Sequence, residues 1–342
     1  MHYQFWHRVA CLLLFLLLVA QAAVADDQVR VTTILEGLDN PTAVAISPNG
    51  DLFLAEYGAG RVVRVVGSKT EDVVTGFSDS RPQCLAFIDA ETLLVGEGGP
   101  ADGGSRVREY TVPKYGESIA ASESRAVMGP WPVEANAAND SVGVAAMAVL
   151  ADKEADNTTI YVVSQAVDPK GWVGRVRWSP RKTDFSIEPL LATRELTQVA
   201  SPAAMTLGLH RRHPILLVAN QGGADAAADS VLGFYDLRTS QLLLGMSAGV
   251  RDVRAIAYST RTPQLYAVDF SGSEPTEGGL FRLDQSFVDG KQSIKPKRIV
   301  TLERPTSLVF APNGSLFITV AGPPATDGSS KSGKLLKIDS GL

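Results

Sequence analysis

The sequence predicts an all-β chain, a six-bladed β-propeller of four-stranded blades closed by its own N-terminal strand, and three observations carry that prediction. One plan of strands repeats six times at spacings of 41 to 62 residues, a period that belongs to stacked supersecondary units rather than to whole domains. The first strand of every repeat alternates small and larger apolar residues, as a sheet packed on both faces requires. One strand stands spare before the first repeat, and the last repeat is one strand short where the chain stops at Leu342.

The first strands align as Ala43-Val44-Ala45-Ile46, Cys84-Leu85-Ala86-Phe87, Ala146-Met147-Ala148-Val149, Ala204-Met205-Thr206-Leu207, Ala255-Ile256-Ala257-Tyr258 and Ser307-Leu308-Val309-Phe310. Innermost strands crowd around a propeller axis, so a small residue on one face lets the next blade approach. Cys84 occupies that small-residue column and reads as a packing residue rather than a reactive thiol. Second strands follow at Asp51 to Glu56, Thr92 to Glu97, Thr159 to Gln165, Pro214 to Asn220, Gln264 to Asp269 and Leu316 to Gly322. Third strands fall at Gly60 to Val66, Arg106 to Val112, Gly174 to Ser179, Ser230 to Leu237, Gly279 to Asp284 and Gly333 to Asp339. Five repeats carry a fourth strand, as at Glu71 to Phe77, Phe185 to Ala192 and Lys297 to Leu302. The spare strand, Val29 to Leu35, completes the last blade and ties the ring shut.

The N-terminal residues read as an export leader. His7 and Arg8 precede an apolar run from Val9 to Ala20, and Ala23-Val24-Ala25 supplies the small residues of a cleavage site. A run of about a dozen residues falls short of the roughly 20 that span a bilayer, so the expectation is a signal peptide at 1–25 and one domain at 26–342, secreted or periplasmic. Cys11 leaves with the leader and Cys84 remains alone, which excludes an intrachain disulfide. The net charge of -5 becomes -6 when Arg8 is lost. A mildly acidic chain without a basic patch excludes nucleic acid and anionic membranes as partners. The mature chain is expected to be a monomer without a membrane span.

The segment Asn40 to Val66, NPTAVAISPNGDLFLAEYGAGRVVRVV, resembles the NHL repeat. Pro48 and Gly50 match its turn, Glu56 the acid that ends its second strand, and Arg61 the Arg that opens its third. The same stretch is similar to the first blade of the glucose/sorbosone dehydrogenase family and to blades of the gluconolactonase family, with a partial echo at Arg304 to Ser315. The resemblance implies a propeller superfamily, and a superfamily does not name an activity.

Alternating strand direction puts the turns after first and third strands on one face and the loops after second and fourth strands on the other. Pro48-Asn49-Gly50 and Pro312-Asn313-Gly314 are tight turns of the first set. The second set is longer and polar, includes the stretch around Trp131, and is where a site would lie. Glu56, Glu97, Asn220 and Asp269 end second strands on that face, and Asn40, Arg81, Arg251 and Arg304 precede first strands there. Such a ring of carboxylates and amides suits a divalent cation such as calcium, with Glu56, Asn220 and Asp269 as its ligands and Arg for an anionic substrate. The same residues suit pairing between blades and capping of loop amides, the weightier reading of the two. The Gly/Asp loops around Asp102, Asp225, Asp229 and Asp327 match no calcium-loop spacing and read as surface loops.

Three functions compete. The favoured one is a binding propeller whose open face takes a small molecule, a glycan or a protein. The alternative is a metal-dependent, gluconolactonase-like hydrolase, although that family's acid before the first inner strand appears here as Asn40. A quinone-dependent sugar dehydrogenase is the third. The resemblance implies a His beside its cofactor, and the mature chain has only His210 and His213, both in a turn on the opposite face. No Gly-x-Ser-x-Gly elbow, phosphate loop or paired-Cys motif occurs.

Overall fold

The computed structural model describes residues 29–342 except 79, 100–104, 131–141, 153–156, 165–170, 200, 223–227, 273, 324–330 and 340. The leader, Trp131, Asp102, Asp225 and Asp327 thus lie outside the described residues. β1 (Val31–Leu38) is followed by β2 (Pro41–Ile46), β3 (Leu52–Glu56), β4 (Arg61–Val66) and β5 (Lys69–Thr75), then by β6 (Arg81–Phe87), β7 (Thr92–Gly99) and β8 (Arg106–Thr111). Short β9 (Ile119–Ala120) and β10 (Ala126–Met128) precede β11 (Val142–Asp152), β12 (Asn157–Ser164), β13 (Trp172–Trp178), β14 (Asp184–Phe185) and β15 (Glu188–Ala192). Next come β16 (Pro202–His210), β17 (His213–Asn220), β18 (Val231–Asp236) and β19 (Gln241–Ser247), and then β20 (Val253–Tyr258), β21 (Leu265–Asp269), β22 (Gly279–Val288) and β23 (Lys291–Thr301). β24 (Pro305–Phe310), β25 (Leu316–Val320) and β26 (Gly333–Ile338) end the chain.

The all-β propeller arrangement agrees with the sequence, and helix is confined to one α-turn at Thr193–Thr197 and two 3-10 turns among the described residues. The sheet count differs from the expected six separate blades. Four sheets stand alone, β2-β3-β4-β5-β9, β16-β17-β18-β19, β20-β21-β22-β23 and β1-β26-β25-β24, while β6 to β8 and β10 to β15 form one curled nine-stranded sheet. The join is local: Gly98 pairs with Gly143 and Gly99 with Val142, linking β7 to β11. A Cβ on Gly98 or Gly143 would collide with the Gln83 side chain, so two glycines let the strands meet over that carboxamide. A buried polar link reinforces the same boundary. Glu109 on β8 accepts the indole N–H of Trp178 on β13 at 2.7 Å and pairs with Arg125.

The first strands of the repeats form the inner wall. β2 lies beside β6, β6 beside β11, β11 beside β16, β16 beside β20, β20 beside β24, and β24 again beside β2. The apolar core fills the spaces between neighbouring sheets. Leu94, Val107, Ile160 and Val176 share one cluster, Leu217, Leu232, Ile256 and Ala267 another, and Tyr161, Val173, Leu216 and Val218 a third. Aromatic pairs span two further boundaries, Phe53 with Phe87 at 5.1 Å and Tyr266 with Phe310 at 5.3 Å. Cys84 packs as its column predicts. Its thiol donates to the Val144 carbonyl at 3.1 Å, a Cβ on Gly96 would strike it, and burial drives its pKa far above the ordinary thiol range. The hairpin tips follow turn chemistry, with Gly50 at φ 93° and Gly314 at φ 87° donating to the Ser47 and Ala311 carbonyls.

The spare strand lies three residues later than expected at its C-terminal end and does what the strand count requires. β1 pairs antiparallel with β26, with Val31 opposite Ile338 and Leu38 opposite Gly333. Leu35 and Leu38 are buried against Val44, Leu54, Val63 and Leu335. Burial of each leucine contributes about 2 kcal/mol, and the pairing covers an edge that would otherwise recruit other chains. Deleting residues 29–38 should therefore lower the melting temperature steeply and yield aggregates in light scattering. A truncated chain that stays monomeric and melts with the parent would show that closure does not depend on β1.

Candidate functional site

Every first strand is irregular at one and the same point. The register against the second strand slips between Pro41 and Ala43, Pro82 and Cys84, Val144 and Ala146, Pro202 and Ala204, Val253 and Ala255, and Pro305 and Ser307. Each slip is a β-bulge, which leaves one residue without a cross-strand partner and re-aims its side chain. The skipped residues are Thr42, Gln83, Ala145, Ala203, Arg254 and Thr306. All six line a single open cavity of about 270 Å³ at the end of the axis, together with Asn40, Tyr57, Phe270 and Arg304. A further cavity of about 240 Å³ continues from it between the first strands.

The acids that end second strands stand opposite the bulges and hold them in place. Glu56, 1% exposed, accepts the Asp39 amide at 2.8 Å and pairs with Arg61 at 2.7 Å. Asp269, 3% exposed, accepts the amides of Arg251, Asp252 and Ser271 at 2.9, 3.0 and 3.0 Å. Glu97 accepts the Ser80 hydroxyl at 2.7 Å and pairs with Arg108 at 2.9 Å. A second bond recurs in four of the repeats. Tyr57, Gln221, Phe270 and Ala321, each just beyond a second strand, donate their amides to the carbonyls of Asn40, Ser201, Asp252 and Arg304. Asn40, Ser201 and Arg304 take positive φ values of 46°, 66° and 51° to make that turn, each immediately before a proline. Strain of this kind in non-glycine residues, on the order of 1 kcal/mol each, persists only where the surroundings enforce it.

The expected ring of eight polar residues thus divides in two. Asn40 and Arg304 line the cavity. Glu56, Glu97 and Asp269 are committed to amides, a hydroxyl and guanidinium groups, while Arg251 pairs with Glu274 at 2.7 Å and Arg81 lies over Gly60. Asn220 is fully buried with both carboxamide atoms unpartnered. The Glu56 and Asp269 carboxylates serve backbone amides first, and among the described residues no three His, Cys, Asp or Glu side chains gather closely enough to hold a metal. Asp229 keeps a partner of its own, and His210 and His213 are exposed at the far end of the β16–β17 hairpin. Seven extended residues separate His210 from Ala203 at the mouth, on the order of 23 Å.

What the sequence reading missed is the chemistry of the mouth itself. Arg254 and Arg304 place their guanidinium carbons 4.9 and 5.0 Å from the centroid of one ring, Phe270. Arg304 also donates to the Gly322 carbonyl at 3.3 Å, and Arg254 Nε lies 3.2 Å from Asp252. Thr42 and Thr306 donate their hydroxyls to the Pro82 and Pro41 carbonyls at 3.2 and 2.7 Å, stitching β24, β2 and β6 together. Gln83 keeps a buried Oε1 without a donor. A signal for the aromatic positions does exist in the sequence: an aromatic follows the acid in Glu56-Tyr57 and Asp269-Phe270.

No family model and no curated protein matches the chain. Solved structures match its fold: a glucose dehydrogenase-type oxidoreductase of Thermus thermophilus is 14% identical, with a TM-score of 0.58 over 91% of this chain and 99% of that one. A luciferin-regenerating enzyme matches at 12% identity and a TM-score of 0.57 over 92% and 96%. The aldose sugar dehydrogenase of Streptomyces coelicolor in its PQQ-bound form matches at 11% and 0.54 over 91% and 98%. At such identities the likeness shows the propeller fold and leaves activity to the site.

Two outcomes follow from the locks. Glu56→Ala should cost about 2 kcal/mol, because it strands the half-buried Asp39 amide and the Arg61 guanidinium, and a urea midpoint equal to the parent's would remove Glu56 from the bulge lock. Burial raises the Asp252 carboxyl above its ordinary value of 3.8, more than Arg254 lowers it. A carboxyl raised in the folded state contributes stability that is present below the unfolded pKa and lost as pH rises through the folded one. Asp252→Asn should therefore gain on the parent as pH rises from the ordinary carboxyl range toward neutrality, whereas a pH-independent difference in urea midpoints would refute the burial effect.

Proposed function

We propose that the chain is an exported, six-bladed propeller that binds a small ligand at the axial mouth without transforming it. The leader-like residues 1–25 support export. Six bulged first strands in ring order support the count of six, the nine-stranded sheet being two blades bridged by two residue pairs. One observation carries the binding reading. Among the described residues, the mouth is lined by guanidinium, amide, hydroxyl, aromatic and methyl groups, with no carboxylate or imidazole as a general base. Such a lining recognises, holds and orients.

The lactonase-like and dehydrogenase-like readings draw on the fold alone. The first needs a metal, and among the described residues no three His, Cys, Asp or Glu side chains gather to hold one; the second needs a histidine, and His210 lies a strand's length away. Neither finds its chemistry among the lining residues.

A purified chain of residues 26–342 tests the reading. Fragments of a small-molecule library should bind by ligand-observed NMR, compete with one another and be lost in Ala145→Trp, which fills the mouth, while lactones and aldoses pass unchanged. EDTA-sensitive lactone hydrolysis, sugar oxidation with an added quinone cofactor, or binding indifferent to a folded Ala145→Trp would sink it.

A further inference from the structure

The mouth is chemically lopsided. Ala145 and Ala203 line one sector, while Arg254, Phe270, Arg304, Asn40 and Tyr57 crowd the other. At 4.9 and 5.0 Å from the same ring centroid, the two guanidinium groups can stand no farther apart than those distances combined. Like charges held at such separation in a partly enclosed cavity repel, and the repulsion is relieved by an anion between them. The protein relieves only part of it. Arg254 has Asp252 beside Nε at 3.2 Å, but Arg304 meets no carboxylate among the described residues, its bond being to the Gly322 carbonyl.

We infer that the mouth recognises the carboxylate of a small organic acid, through Arg254 and Arg304 over Phe270. The inference rests on the binding reading of the same site and adds the chemical class of its ligand. The planar fork of Arg matches a carboxylate's two oxygens. Phe270 keeps both forks off bulk water on one side and offers the body of the ligand a ring to stack on. Threonine hydroxyls that donate to carbonyls retain acceptor capacity toward the body of the ligand. Arg304 is held at φ 51°, its carbonyl anchored by the Ala321 amide at 3.0 Å, so its side chain leaves a rigid turn. Both cations are thus supplied by stiff backbone, Arg254 from a bulge and Arg304 from a locked turn, and ligand binding orders little that is not already ordered.

Calorimetry and ligand-observed NMR with benzoate and glucuronate, against benzamide, glucose and inorganic phosphate, test it. The acids should bind at least about tenfold more tightly than their neutral counterparts, as a charge-assisted pair requires. Arg304→Gln and Arg254→Gln should each weaken the acids by a similar factor while leaving benzamide nearly unchanged, and Arg298→Gln, at an exposed ion pair, should change nothing. Raising salt from about 50 to about 500 mM should weaken the acids alone. Acids and neutral compounds bound equally well in the mouth would overturn the carboxylate and leave a binding site. Phosphate bound as tightly as the acids would assign the cations to tetrahedral anions and overturn it too. Acid binding that survives both arginine substitutions would move the anion elsewhere, and no binding of any probe would overturn both readings.

Discussion

The constraint on which the structure turns is the crowding of first strands at the axis. Strands that converge there have no room for regular pairing along their whole length, and each one sheds the excess at the same point through a bulge. The bulge has a cost, since it frees backbone amides near the end of the strand, and buried donors must be satisfied. Glu56 and Asp269 meet that need directly with amide bonds, while Glu97 accepts the Ser80 hydroxyl. Their burial and engagement follow from geometry at the axis rather than from any ligand.

The same constraint makes the mouth. A residue skipped by the ladder has no cross-strand partner to fix its type, although Ala145 packs against the core and Thr42 and Thr306 bond to neighbouring first strands. Thr42, Gln83, Ala145, Ala203, Arg254 and Thr306 occupy six equivalent positions with four different side-chain types. Where the repeat demands a role, the residue type recurs, as in the small-residue column or the second-strand acids. Where the repeat merely exposes a position, diversity enters, and with it the asymmetry between a methyl-lined sector and a cationic, aromatic one.

This contrast also explains what could be read from the sequence. Strand order, most inner-strand bounds and the closing role of the N-terminal strand were legible, because alternation and repetition encode them directly, whereas the outer strand expected from Lys297 begins at Lys291. The short β9, β10 and β14 were not, since two or three residues carry no period. The mouth was hidden for a sharper reason. Strict period-2 alternation assigns residues 41, 43 and 45 to one face and 42 and 44 to the other, and a bulge breaks that rule at residue 42. Attention consequently fell on residues beside the mouth, such as Glu56 and Arg81, rather than on Arg254 and Gln83. The joined sheet was equally hidden, because nothing about Gly98 and Gly143 as residues says that Gln83 lies between them.

The division of labour bears on how a propeller of this kind changes its ligand. A second-strand acid cannot be exchanged without stranding amides, so the locks tie the ring together whatever occupies the mouth. The bulged Ala145, half-buried at the mouth, could become larger or polar at little cost to the ladder, whereas Ala203 is 3% exposed. The cationic sector sits between these extremes, since Arg254 has Asp252 beside it and Arg304 leans on the carbonyl of Gly322. Removing Asp252 would leave the mouth more cationic, and replacing Arg254 would leave a buried carboxylate without its partner. Specificity at the cationic sector is therefore coupled to the stability of the β20–β21 end, whereas specificity at the alanine sector is not. New ligands are expected to be accommodated from the alanine side inward, with Phe270 and its two arginines kept as the anchor.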